Sequence, residues 1–131
     1  MILPRTILLL AGLLFLGFGA WMATEPEALG RFVRFDTTDP LTLTEVRAFY
    51  GGLEIGLGLF LLGCAALGRA LRPALILVAL VFGLTAAARI AGIVLDRPDN
   101  RTVYAFLAVE LLGAVLGLVG AFAARPRQRV G

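Results

Sequence analysis

Four long apolar blocks, separated by one long and two short polar connections, dominate the chain. A hydrocarbon layer of about 30 Å takes about 20 helical residues to cross, and each block is of that order. Residues 4–23, 45–67, 73–95 and 101–124 are therefore expected to be membrane-spanning helices of one domain, residues 1–131, with residues 24–44 as its long outer loop. The uncharged run Thr6–Ala23 follows Arg5 as a signal peptide would. Cleavage after Ala23 or Ala20 would put Trp21 or Phe18 where a small residue is needed, so a retained first helix is expected.

The connections carry their own signals. Thr24-Glu25-Pro26-Glu27 reads as a capping box, and apolar residues from Ala28 to Phe35 follow beside Arg31 and Arg34. This predicts a short helix on the membrane surface or folded over the bundle mouth, with a solvated loop as the plainer reading. Asp36–Pro40 ends it, and Thr42-Leu43-Thr44-Glu45 suggests a second capping box opening helix two. Gly52-x-x-x-Gly56, with Gly63 on the same side, marks a face for close helix packing. Asp96–Asn100 is a turn, and Arg125, Arg127 and Arg129 form a positive tail.

Composition strengthens this picture. The 131 residues are 60% hydrophobic and only 16% charged, against about a quarter charged in soluble domains. The fold class is accordingly an all-α membrane protein: four antiparallel helices, readable as two pseudo-repeated hairpins, plus the short interfacial helix. The pI near 10 comes from Arg residues scattered around the spans, so no nucleic-acid partner is expected. The chain has no His and no Lys, which removes imidazole ligation, His acid–base catalysis and Schiff-base chemistry. Cys64 is alone in an apolar run and reads as a packing residue. No cofactor, metal site or catalytic residue is expected.

Charge placement supplies an orientation. Arg5, Arg69, Arg72, Arg125, Arg127 and Arg129 flank one end without a single acid. The other end mixes Arg31, Arg34, Arg47, Arg97 and Arg101 with Glu25, Glu27, Asp36, Asp39, Glu45, Asp96 and Asp99. The positive-inside rule then places both termini in the cytoplasm, in a bacterial inner membrane.

Three ionisable groups lie within the apolar blocks: Glu54, Arg89 and Glu110. Rises of about 1.5 Å per residue put the two Glu about 13 Å, and Arg89 about 9 Å, below the outer helix ends. A charge facing lipid costs about 2.5–3.5 kcal/mol even on the lenient scale. Arg89 is therefore expected between Glu54 and Glu110 in an outward-facing polar chamber, with Arg47 and Tyr50 as its upper rim. Tyr104, Asp96 and Thr85 are secondary members. Arg47-x-x-Tyr50 and Arg101-x-x-Tyr104, each before a deep Glu, carry the internal echo.

Several stretches together resemble a known family. They are Pro26-Glu27-Ala28, the run Arg47–Glu54 with Gly58-Leu59-Phe60, Arg89-x-x-Gly92 before Asp96, and Glu110. The family is the bacterial four-helix membrane family catalogued as domain of unknown function forty-three forty-five. The resemblance covers nearly the whole chain and implies a short inner-membrane four-helix protein with no assigned activity. One departure is Arg97, where the family pattern implies Gly after the acid closing helix three.

Two readings of the polar cluster remain open: interhelical glue, or a binding chamber. The functional expectation is a non-catalytic bundle, either an accessory subunit of a membrane complex or a binder of a lipid or small amphipathic ligand. Its expected partners are membrane lipids, a larger complex or further copies of itself. A proton-coupled transporter, or an intramembrane acid–base enzyme using Glu54 and Glu110, is the alternative.

Overall fold

The computed structural model describes residues 1–124, so the expected Arg125–Arg129 tail lies outside the described residues. The described residues are helical and form no strand. We number the helices α1 (Ile2–Thr24), α2 (Ala28–Val33), α3 (Pro40–Leu67), α4 (Leu71–Asp96) and α5 (Thr102–Ala123). Four of them, α1, α3, α4 and α5, are long and apolar enough to cross a membrane.

Helix α3 begins five residues before the expected position because Asp39-Pro40 starts it. Asp39 is extended (φ −82°, ψ 118°), and its carboxylate accepts hydrogen bonds from the Thr42 backbone N–H (2.9 Å) and hydroxyl (2.7 Å). Pro40 fills the first helical position, where its missing N–H costs nothing. The pair expected to break the chain is thus a cap followed by a pre-set first residue. The other expected capping box is also replaced. Thr24 closes α1, its hydroxyl donating to the Ala20 and Trp21 carbonyls, and α2 starts from Glu27 without a side-chain cap.

Within α3, residues Val46–Gly52 are π-helical, so the Leu53 N–H reaches back five residues to the Ala48 carbonyl. Ordinary α-helix resumes over Leu53–Leu67 and ends at Gly68, left-handed at φ 64°. Ala70, also left-handed at φ 52°, precedes α4, and the Gly68–Ala70 turn leads directly into Leu71.

The two long hairpins, α1–α3 and α4–α5, are built by close backbone approach. A Cβ on Gly58 would stand 2.6 Å from the Leu16 nitrogen, and one on Gly12 would stand 3.1 Å from the Gly58 carbonyl oxygen. At the other end of the contact, a Cβ on Gly19 would lie 2.9 Å from the Gly51 carbonyl oxygen, and one on Gly51 would meet Ala23 at 3.0 Å. Both helices repeat glycine at seven-residue intervals, running antiparallel. The second hairpin places Gly117 against Ala79, Gly113 against the Phe82 ring and Gly120 against Leu75. Helix α1 then joins the hairpins, with Phe15 and Phe82 rings 5.1 Å apart and Ile7 near Gly120.

The expected Gly52/Gly56 packing face is therefore corrected. Gly56 and Gly63 face open space, and nothing but α3's own Arg47 carbonyl lies near Gly52. The contact uses the glycines one position before and two positions after that motif, Gly51 and Gly58, because the seven-residue spacing matches α1. Cys64 is buried in the main core, beside Leu61 and Ala65.

Gly58→Ala is expected to destabilise the hairpin by about 1–3 kcal/mol, the usual cost of overpacking. Gly56→Ala should leave stability unchanged or slightly raised, since the position is open and Ala is the better helix former. Thermal unfolding followed by circular dichroism in detergent micelles compares the two; equal losses would contradict the glycine contact described.

Candidate functional site: the loop end of the bundle

The ends of α1, α3, α4 and α5 that carry the 25–39 and 97–101 connections hold the polar residues. Helix α2 folds over this end. Pro26, Ala28 and Leu29 are buried there with Met22 and Val46, and Phe18 packs against them. The Asn100 side-chain amide donates to the Phe32 carbonyl at 2.8 Å, tying α2 to the turn before α5. Arg34 and Asp99 also meet, at 3.4 Å, but both are largely exposed and the pair contributes little. An aromatic chain runs inward through edge-on contacts from Phe18 to Trp21, Phe32 and Phe106.

Arg89 and Glu110 pair at the inner end of that chain. Arg89 Nε donates to both carboxylate oxygens of Glu110, at 2.8 and 3.0 Å, and Nη2 donates to Oε1. The guanidinium also lies over the Phe106 ring, 5.3 Å from its centroid. Phe106 is one helical turn before Glu110, so one face of α5 supplies both anion and ring. Glu110 is 8% exposed and is the one buried charged residue among those described. The paired geometry satisfies it: no buried side-chain nitrogen or oxygen among the described residues lacks a hydrogen-bond partner.

Glu54 is not part of that pair. It makes no hydrogen bond or ion pair among the described residues. It is half-buried rather than sealed, so both carboxylate oxygens keep accessible surface. Its backbone is pressed against α1, where a Cβ on Gly19 would approach Glu54 Cβ to 3.1 Å. The side chain lines a cleft of about 660 Å³ between α3 and the segment leading into it. Phe35, Asp39, Glu45, Phe49 and Tyr50 share that lining. Hydrogen bonds from the Thr42 hydroxyl and backbone hold the Asp39 carboxyl below its ordinary range, so it stays ionised at neutral pH. Thr38 does the same for Asp36 nearby in the chain.

The expected single chamber is therefore two neighbouring sites. Arg89 turns to Glu110 rather than standing between the two acids. Tyr50 belongs to the Glu54 cleft, which it lines. Arg47 is exposed and lines no part of the cleft, so it is not a rim residue. Tyr104 and Asp96 are exposed, and the exposed Thr85 donates its hydroxyl to the Val81 carbonyl of its own helix. None of these three joins either site. Phe106, Phe35, Phe49, Asp39 and Glu45 were not among the expected site residues. The signal for Phe106 was its one-turn spacing from Glu110; for Asp39 it was the following proline.

Removing one member of the Arg89–Glu110 pair should be costly, because the other is left buried without its partner. Arg89→Leu and Glu110→Gln are each expected to lose about 3–5 kcal/mol. The partial exposure of Arg89, 26% of its side chain, argues for the lower figure. The double variant Arg89→Leu/Glu110→Leu should lose less than the two single losses added together. A double-mutant cycle on detergent-solubilised protein measures this, and strict additivity would show that the groups are not coupled.

Comparison with known proteins adds one identification. No curated protein and no solved structure matches the chain. Residues 3–121, which include nearly all of α1, the π-helical segment, Glu54, Arg89 and Glu110, match the family described as Domain of unknown function (DUF4345). With nine-tenths of its length inside that match, the chain belongs to the DUF4345 family.

Proposed function

We propose that this protein is a multi-pass inner-membrane receptor for a lipid or small amphipathic molecule, bound in the Glu54 cleft. The observation that carries the reading is the contrast between two carboxylates at one end of the bundle. Glu110 is enclosed and tied to Arg89, whereas Glu54 is open to a cleft and pairs with nothing in the described fold. An acid within a membrane span is expensive to ionise, about 2.5–3.5 kcal/mol even by lenient measures, and a polar or cationic group placed beside it offsets that cost. A carboxylate kept there without an internal partner is suited to an external one. The cleft is open and lined mostly by exposed side chains, and its mixture of rings and few polar groups fits an amphipathic occupant lying along α3.

The orientation follows from charge. The end carrying Arg5, Arg69 and Arg72 bears no acid, so the positive-inside rule assigns it to the cytoplasm and opens the cleft outward. The π-helical segment supports the same reading, since such segments are frequent at functional sites and this one supplies Val46, Phe49 and Tyr50 to the lining. The acid–base alternative is less well supported, because Arg89 already holds one of its two carboxylates.

Purification from native membranes in mild detergent, followed by mass spectrometry of bound small molecules, tests the proposal. The wild-type chain should carry a stoichiometric amphipathic compound that Glu54→Gln loses without losing helicity or thermal stability. Co-purification of a protein partner with the cleft empty would replace the receptor reading with that of an accessory subunit.

A further inference from the structure

We infer that the occupant of this cleft is an amphipathic organic cation, an ammonium-type head carried on an apolar body. The inference rests on the receptor reading and names the ligand class for the same cleft. Three carboxylate side chains line it, Asp39, Glu45 and Glu54, and no basic residue does. The hydrogen bonds to Asp39 preserve its charge, whereas Glu45 and Glu54 have no cationic partner among the described residues. A lining of this sign repels phosphate and carboxylate headgroups and favours positive charge.

The arrangement also distinguishes between kinds of cation. The carboxylates do not converge: among the described residues, no group of three acids or other metal-binding side chains could hold a metal ion. Asp39, Glu45 and Glu54 are instead strung along α3, with helical rises of about 9 Å and about 13 Å between successive members. That spacing suits a bulky cation with diffuse charge better than a compact metal ion. Three aromatic side chains, Phe35, Phe49 and Tyr50, stand among the acids. Ring faces attract organic cations strongly once water is displaced, and add apolar contact for the body of the same molecule. Leu41 and Val46 extend the apolar part of the wall. Acids and rings together therefore select a molecule that is both cationic and greasy.

The charge sign can be isolated with two probes of nearly the same shape, tetraphenylphosphonium and tetraphenylborate. Equilibrium dialysis against the full chain in uncharged detergent should show saturable binding of tetraphenylphosphonium, about one per chain, and none of tetraphenylborate. Glu54→Gln should weaken phosphonium binding about tenfold or more, the scale of one lost close ionic contact. Should Glu54→Gln fail to fold, the exposed rim change Glu45→Gln is expected to weaken binding about threefold, and Phe49→Ala by a similar factor. Saturable binding of tetraphenylborate at least as tight would overturn the cation assignment while leaving an amphiphile receptor in place. A neutral or anionic native ligand lost on Glu54→Gln would do the same. If neither probe binds and no native compound is lost from Glu54→Gln, both the ligand class and the receptor reading fail.

Discussion

The close approach of α1 and α3 at Gly12, Gly19, Gly51 and Gly58 governs what the rest of the molecule can do. With side chains absent at these positions, backbone of one helix meets backbone of the other over two full turns. Apolar helices in general gain nothing hydrophobic by pairing in lipid, where contact of this kind is a main source of cohesion. It also fixes the rotation of α3. With Gly51 and Gly58 turned to α1, the Glu54 backbone is pinned beside Gly19, and its carboxylate has only the cleft side to occupy. The same rotation leaves Gly52, Gly56 and Gly63 on the open face.

The second hairpin solves the problem of a buried charge differently. Glu110 is set on the α5 face that also carries Gly113 and Gly117, so the glycines that bring α4 close also bring Arg89 within reach. Phe106 caps the guanidinium from the same face, and Phe32 of α2 extends the stack outward. Helix α2 is thereby anchored to the far hairpin through ring contact and the Asn100 amide. One short helix of six residues couples both hairpins at this end, which the long connections alone would not do.

The helices themselves were legible because each apolar block is long, uncharged and bounded by turn residues. Arg89 and Glu110 were legible as partners because depth along antiparallel helices depends only on residue counts. What the sequence concealed was rotation. Helical periodicity alone sets Gly51, Glu54 and Gly58 on one stripe, but the α1 span carries no charge beyond Arg5 to show which neighbour that stripe would meet. Its markers, Gly12 and Gly19, are silent unless their seven-residue interval is compared with that of Gly51 and Gly58. The π-helical turn is equally hidden, since a regular 3.6-residue period does not register it. Arg47 drops out of the site where that period fails. Asp39-Pro40 is ambiguous for a different reason: both residues are turn formers, and only the following Thr42, from whose N–H and hydroxyl the carboxylate accepts hydrogen bonds, reveals the cap.

These constraints bear on why two acids of similar depth behave so differently. Glu110 projects into an interhelical contact already provided with a cation and a ring, so its charge is neutralised within the fold. Glu54 lies within the α1–α3 contact, its backbone beside Gly19, and follows a π-helical turn that supplies Phe49 and Tyr50 to the same cleft. The nearest deep cation is engaged elsewhere, bidentate to Glu110. An interhelical network that served packing alone would be expected to draw Glu54 into it, since an unpaired carboxylate weakens a bundle that pairing would strengthen. Packing thus accounts for the Arg89–Glu110 pair, and it leaves Glu54 half-buried and without a partner among the described residues, on a cleft it shares with Phe49 and Tyr50.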